Sequence, residues 1–503
     1  MAASPQVRAG AQRMSPDAHA NAIARPAFLL VVGRAVGMAA SFAIGIILAR
    51  IFTPAEFGTY KQFFLVYATL YGLAQLGMAE SLYYFVPRRS DLTGRYVTNA
   101  LATLALAGGA CIVGLAAART RIAAWLSNAP LADHLVVLGL FLTFMLMSTV
   151  LEIVMVSRKR HGLAAVTYAI SDIVRTLLFI LPALLVGSLR AVFIGATVFA
   201  AIRLALMLTA LWRQYGRELR LDLALWKDQL AYAVPFALAV GVDAVQLNLH
   251  QYVVASQVDA ATFAIYAIGC MQIPLLDLIM TSTVNVLMVK MAEEEHDHEV
   301  VRTLWHETVC RLALLIVPLA VFLVIMAHDL IVGLFTETYA GSVPIFRVWA
   351  LMILPTVFAS DAFLRAYAQT RYLLIMNVVR LVLVASLIGA FMSAFGLVGA
   401  VLVALLAMSV VKGLKVVKIA RLMHLGLGEV LPWDRLMGIT IRACVAGIPV
   451  AWMAHAVTIP PFAGLVVGGA LYSAMYAALC YAGRFSLRLA TPAPAEVAVS
   501  TGK

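Results

Sequence analysis

The sequence predicts an all-α polytopic membrane protein with about fourteen transmembrane helices, arranged as two six-helix bundles followed by two further C-terminal helices. Three observations carry this prediction. Of 503 residues, 63% are apolar and only 12% are charged, with a mean hydropathy of +0.95; a soluble domain carries about 25% charged residues. Apolar runs of about 20 residues, the length that crosses the hydrocarbon of a bilayer, recur along the whole chain between charged or Pro/Gly breaks. The basic residues form short clusters in alternate breaks, as cytoplasmic membrane loops do.

The elements follow in order. Residues 1–26 carry Arg8, Arg13 and Arg25 without the short apolar core of a secretory signal, so they read as a disordered cytoplasmic tail. The N-terminal bundle, 27–212, holds spans at 27–49, 62–86, 96–118, 135–157, 163–186 and 191–212. A cytoplasmic linker, 213–229, leads to the second bundle, 230–418, with spans at 230–255, 261–288, 310–332, 344–368, 372–394 and 396–417. A cytoplasmic loop at 419–435 precedes the two additional spans, 436–457 and 462–483, and residues 484–503 form a second cytoplasmic tail.

Charge orients this map. With the N-terminus in the cytoplasm, 26 of the 37 Lys and Arg residues fall on the cytoplasmic side, against five outside (Arg50, Lys61, Arg119, Arg121 and Arg190) and six within spans. Such asymmetry places both termini in the cytoplasm. The formal net charge of +12 is therefore membrane topology, and nucleic acid is excluded as a partner. The outer loops are short, which leaves little room for an external catalytic domain. Cys111, Cys270, Cys310, Cys444 and Cys480 form no CxxC pair or metal-like spacing and read as packing residues.

The halves repeat. Phe57-Gly58-Thr59-Tyr60 aligns with Phe263-Ala264-Ile265-Tyr266 at an offset of 206 residues, and Arg160-His161-Gly162-Leu163 falls opposite Thr370-Arg371-Tyr372-Leu373 at 210. An even number of spans per half keeps both halves in one orientation, so the repeat is parallel.

The residues Leu48-Ala49-Arg50-Ile51-Phe52-Thr53-Pro54-Ala55-Glu56-Phe57-Gly58-Thr59-Tyr60, then Leu76-Gly77 and Phe85-Val86-Pro87-Arg88, resemble the opening of Wzx-type polysaccharide flippases, members of the MATE-like MOP exporter superfamily. Gln75 stands where that family often carries an acid. The resemblance implies a two-bundle MATE-like fold in a bacterial inner membrane and no enzymatic activity. It implies translocation of an undecaprenyl pyrophosphate-linked oligosaccharide for O-antigen, capsule or exopolysaccharide synthesis. Polysaccharide polymerase and chain-length machinery are then expected partners, beside the lipid bilayer itself. The competing readings are a MATE-type cation or drug antiporter, which favours an acidic lumen, and an integral membrane enzyme of polysaccharide assembly, disfavoured by the short outer loops.

Intramembrane charges nominate the site, because a charge at mid-bilayer is costly and normally faces a cavity or partner. Arg175 lies mid-span, and Arg34, Arg203 and Arg380 lie several residues inside; a guanidinium fork suits pyrophosphate. The bland reading of Arg175 is neutralisation by Asp172, three residues earlier on the same face. Arg347 and Arg442 sit near span ends and can snorkel. Gly37, Ser41 and Gly45 continue from Arg34 as a small-residue packing seam. Asp243, Gln246 and His250 share one helical face and, with Asp277 one span later and Asp172, are candidates for a coupling proton or cation; interhelical hydrogen bonding is the alternative. Glu152 and Asp361 read as isolated acids, and Tyr67, Tyr71 and Gln75 as an amphipathic stripe. The acidic run 293–299 has no second ligand cluster and reads as a solvated face, not a metal site. No GxxxxGK[ST] loop is present, and no cofactor is expected.

Overall fold

The computed structural model describes residues 37–157, 161–273, 297–457 and 459–482, with scattered positions between 274 and 296. The described residues form helices and no strands: α1 (Gly37–Ile51), α2 (Pro54–Ala74), α3 (Met78–Arg88), α4 (Thr93–Trp125), α5 (Leu135–Ser157), α6 (His161–Val186), α7 (Leu189–Tyr215), α8 (Leu223–Gln257), α9 (Ala260–Gly269), α10 (His298–Ile325), α11 (Ala327–Leu334), α12 (Val343–Leu351), α13 (Ser360–Ala366), α14 (Thr370–Leu422), α15 (Trp433–Ala456) and α16 (Pro461–Ala482). A bilayer interior offers no water to unpaired backbone groups, so helices that satisfy their own are the form these apolar runs must take. Among the described residues, eight segments are long and apolar enough to cross a membrane, and α8, bent by 42° between Pro235 and Val240, makes a ninth. The chain is a multi-pass membrane protein.

Polar residues start these helices. Thr53 accepts from the Glu56 amide, Glu56 returns its carboxylate to the Thr53 amide at 3.0 Å, and Pro54 occupies the first turn of α2. Asp222, Asp259 and Asp297 cap α8, α9 and α10 by accepting first-turn amides on their side chains. Asp297 belongs to the acidic run at 293–299, and Glu299 pairs with Arg302 at 2.8 Å. Glu294, Glu295 and His296 lie outside the described residues.

Several predicted spans differ in form from plain helices. The second is interrupted: Leu76 and Gly77 take left-handed conformations, φ 49° and 65°, and separate α2 from α3. The tenth is broken into α12, a 3-10 turn at Leu354–Phe358 and α13, with Ala359 at φ 45°. The eleventh and twelfth run together as α14, which turns back on itself at Gly396, φ 59° and ψ −141°, a conformation only glycine holds without strain. The fold-back is evident from Tyr372, whose hydroxyl donates to the Leu414 carbonyl at 2.9 Å; a straight helix would hold those residues about 63 Å apart.

The two copies of the sequence repeat pack on each other. Thr53 and Asp259, 206 residues apart, each cap a helix, and α2 lies so close to α9 that a Cβ on Gly58 would collide with the Ala260 carbonyl. The largest packed core contains residues of both halves, among them Phe57, Phe63, Phe193, Phe263, Tyr266 and Phe346. Lipid is as apolar as these side chains, so close packing rather than water exclusion holds the membrane-embedded part of that core.

Candidate functional site

A cavity of about 880 Å³ lies between the halves. α1 contributes Ser41 and Gly45, α2 Tyr60 and Lys61, and α6 Asp172 and Arg175. From α8 come Val240, Asp243, Ala244, Leu247, Asn248 and Gln251, a three-and-four spacing that places one helical face on the cavity. Cys270, Gln272, Phe335 and Trp349 complete the far wall. Two bases and two acids thus line it among the described residues, a balanced lining, neither the acidic one that a MATE-type antiporter favours nor a purely basic one. Amide side chains, aromatic rings, the Ser41 hydroxyl and the Cys270 thiol occupy the remaining polar positions.

The predicted residues divide among several settings. Arg175 and Asp172 both face the cavity and pair with each other at 2.9 Å. The Arg175 guanidinium also donates to the Ser41 hydroxyl, tying α6 to α1, while its Nε has no hydrogen-bond partner among the described residues. Local pairing and a lumen position therefore coexist. Asp243 faces the cavity, with Arg380, Lys415, Arg365 and Asp361 all within electrostatic reach behind it. Arg380 does not line the cavity; it donates to the Gln246 side-chain oxygen at 2.9 and 3.3 Å. His250 is buried, with Nδ1 2.6 Å from the Tyr266 hydroxyl and its ring beside Trp349. Only Asp243 of the Asp243–Gln246–His250 face opens to the lumen. The other two make interhelical hydrogen bonds, because that face turns toward α9 and α14. Arg34 and Asp277 lie outside the described residues.

Arg203 stands apart from the large cavity. It pairs with Glu152 across α5 and α7, and both line a separate, mostly apolar pocket of about 240 Å³ with Ile170, Val174 and Phe199. Glu152 is consequently not isolated. Asp361 is not isolated either: Lys415 approaches one carboxylate oxygen at 2.6 Å and Lys412 pairs with the other. The basic count took both lysines as cytoplasmic, at the end of the twelfth span (396–417), yet Lys415 is only 4% exposed. Their alkyl stems carry the ammonium groups back from the second arm of α14 to α13.

Sequence reasoning missed Lys61, Asn248 and Gln251. Lys61 was counted as an outer-loop cation, whereas α2 begins at Pro54 and draws it into the wall, 5.2 Å from the Phe57 ring. Asn248 and Gln251 were legible as polar positions at i+5 and i+8 from Asp243, but the face drawn through His250 passed them by.

Beyond Gly45 and Phe335 the halves meet and close one end of the cavity. Arg50 donates from Nη2 to the Gly333 carbonyl at 2.6 Å and from Nε to Leu334 at 2.8 Å. Phe57 meets Tyr339 edge-on at 6.0 Å, Trp125 stacks on Tyr252 at 5.5 Å, and Ser127 donates to the Ser256 carbonyl at 3.2 Å. At the opposite end the linker is tied down. Asp222 accepts from Arg95 at 3.0 Å and from the Ala224 and Leu225 amides, and its backbone exchanges two hydrogen bonds with Asn99. The Leu225 amide, then Arg95, hold the Asp222 carboxyl below its ordinary range.

Among the described residues no group of three or more His, Cys, Asp or Glu side chains could hold a metal ion.

Residues 47–344, more than half of the chain, match the family model described as polysaccharide biosynthesis protein. No curated protein matches the sequence. Among solved structures, the lipid II flippase MurJ in an inward closed conformation is similar over 91% of this chain and 99% of that one, at 12% identity and a TM-score of 0.71. An inward-facing multidrug resistance MATE family transporter of the MOP superfamily is similar over 78% of this chain and 99% of that one, at 14% identity and a TM-score of 0.64. A MOP superfamily transporter from Pyrococcus furiosus follows over 78% and 93%, at 14% identity and a TM-score of 0.53. At these identities the likeness establishes a MurJ- and MATE-like fold.

Proposed function

Because the chain belongs to the polysaccharide biosynthesis protein family and has the fold of MOP superfamily transporters, we propose that it is a flippase, with the Wzx-type character that its opening residues suggest. Its cargo is an undecaprenyl pyrophosphate-linked oligosaccharide, moved from the inner to the outer leaflet of a bacterial inner membrane by alternating access. The observation that carries this reading is the cavity between the halves, where Arg175 and Lys61 face amides and aromatic rings. A glycan cannot cross hydrocarbon, its lipid tail can remain there, and its pyrophosphate needs a guanidinium or ammonium partner. Residues 27–212 and 230–418 act as the two moving bundles, with both termini cytoplasmic. Residues 436–483 add two helices, and the 213–229 linker joins the bundles on the cytoplasmic side.

Arg175 is the lumen anion contact we favour, with Arg34 a further candidate; Arg380 acts through Gln246, outside the cavity wall, and Arg203 acts through Glu152 on the packing of α5 and α7. Asp243 and Asp172 are the coupling-ion candidates that face the lumen, with Gln246 and His250 buried beside Asp243, and Asp277 remains a candidate from the sequence alone. Polymerase and chain-length machinery would consume the product at the outer face. No catalytic constellation is needed for translocation, so the chain is not an enzyme in this reading. One observation favours a cation or drug exporter instead: Asp172 and Asp243 both line the cavity.

Deleting the gene tests these readings together. Loss of an envelope polysaccharide with lipid-linked repeat units accumulating on the cytoplasmic side supports the flippase. Failure to synthesise the repeat unit points to an enzyme, and normal polysaccharide with altered drug tolerance points to an exporter.

A further inference from the structure

A second cleft of about 550 Å³ opens where α10, α11, α12 and α15 meet, lined by His328, Asp329, Arg347 and His455 above Val324, Ile325, Ala451 and Ala454. Two of its polar groups lie at helix ends, His328 as the second residue of α11 and His455 as the last but one of α15, and Arg347 is the fifth residue of the nine-residue α12. The predicted spans end at 332 and 457 and begin at 344, which puts these residues near the level at which hydrocarbon gives way to headgroups. Beneath it α15 carries an exposed apolar stripe, Ile441, Val445, Ile448 and Trp452, spaced four, three and four residues apart and continuing to His455 three residues on. Trp452 is 71% exposed, the placement of an interfacial tryptophan against lipid.

Arg347, the cleft's one obligate cation, is not paired with its one acid, Asp329, among the described lining residues. Asp329 lies 3.7 Å from His328 Nδ1 and beside the first turn of α16, where a Cβ on Gly464 would stand 3.3 Å from its carboxylate. An acid at a helix N-terminus is stabilised by the helix dipole. No carboxylate lies within ion-pair distance of Arg347 among the described residues. A guanidinium and an imidazole facing an apolar stripe at a membrane boundary match one ligand chemistry, a phosphate group attached to an acyl chain.

We propose that this cleft binds an anionic phospholipid, with Arg347 and His455 taking the phosphate and an acyl chain lying along Trp452 and Ile448. The site is independent of the central cavity and of the cargo assigned to it. It would fix α15 and α16 to the second half through a lipid and make that docking depend on membrane composition.

The test uses the full chain in detergent, by native mass spectrometry with phosphatidylglycerol, phosphatidylcholine or inorganic phosphate. Phosphatidylglycerol adducts should survive activation at least about fivefold better than phosphatidylcholine adducts, and Arg347→Gln with His455→Gln should abolish the difference. Arg347→Lys should keep part of it, and the remote charge control Arg119→Gln all of it. Equal retention of the two lipids, or retention unchanged in the double variant, overturns the proposal. Displacement of the lipid by millimolar inorganic phosphate overturns its lipid component. Should the double variant misfold, the unsubstituted chain still decides: brominated phosphatidylglycerol should quench a Trp452 component that Trp452→Phe removes, and quenching identical in both proteins refutes the site.

Discussion

Arg50 Nε donates to the Leu334 carbonyl at 2.8 Å across 284 residues of sequence. Leu334 is the last residue of α11, where helix carbonyls lack intrahelical partners and carry the negative end of the dipole. A cation held there fastens the first half to the second at the closed end of the cavity. Arg50→Ala should loosen that closure. In a variant retaining only Cys270, which is buried in the cavity wall, a membrane-impermeant maleimide added from outside should label poorly with Arg50 present and several-fold faster with alanine. Equal labelling rates would show that Arg50 does not hold the closure.

Arg175 separates charge from geometry. Arg175→Ala should lose at least about nine-tenths of polysaccharide export, and Arg175→Lys should retain part, since lysine keeps the charge but not the planar fork. Near-normal export from a well-expressed Asp172→Asn, Arg175→Gln double variant would reduce Arg175 to a neutraliser of Asp172 and remove its lumen role.

Arg203 and Glu152 should behave as a structural pair. Their side chains are 20% and 9% exposed, so Arg203→Gln takes the cation away from a buried acid inside the membrane, at a cost of roughly 3 kcal/mol. Protein level and thermal midpoint should fall in the single variant and recover when Glu152→Gln is added. Export per folded molecule should change little, and a large specific loss in the double variant would reassign the pair to transport.

Linker docking should be acid-sensitive. The folded state depresses the Asp222 carboxyl, so its contribution is present above the ordinary aspartate range of about 4 and is lost as pH falls through the lower folded value. Proteolysis near Arg217 and Arg220 should therefore rise as pH is lowered below about 4. Asp222→Asn still caps α8 but loses the charge attraction to Arg95, so its proteolysis should show a weaker pH dependence. An unchanged slope would place the acid sensitivity in another group.

Orientation is open to a direct check. Reporter fusions at Asn128, Gly216, Thr338 and His424 should read outside, inside, outside and inside. An inverted pair would break the span map and the assignment of the Arg50 closure to the outer face.

The membrane class, the helical fold and the family were legible in the sequence because each rests on information local to the chain. Twenty apolar residues make a span wherever they stand, and a capping box at Thr53 starts a helix by itself. Even the turn at Gly396 left a trace, since the eleventh and twelfth spans were separated there. Partnerships were a different matter. Asp243, Gln246 and His250 do share a helical face, but whether that face meets water or protein depends on what packs against α8, and α9 and α14 took two of the three. Arg203 and Glu152 are 51 residues apart, Asp361 and Lys415 are 54, and Arg50 and Leu334 are 284. The sequence by itself determined which charges must be compensated, because a low-dielectric interior makes an unpaired charge costly wherever it lies. Only the tertiary structure decided whether each is compensated by a neighbouring side chain, by a helix end, or by facing the cavity, since that choice depends on distances between helices that no spacing along the chain encodes.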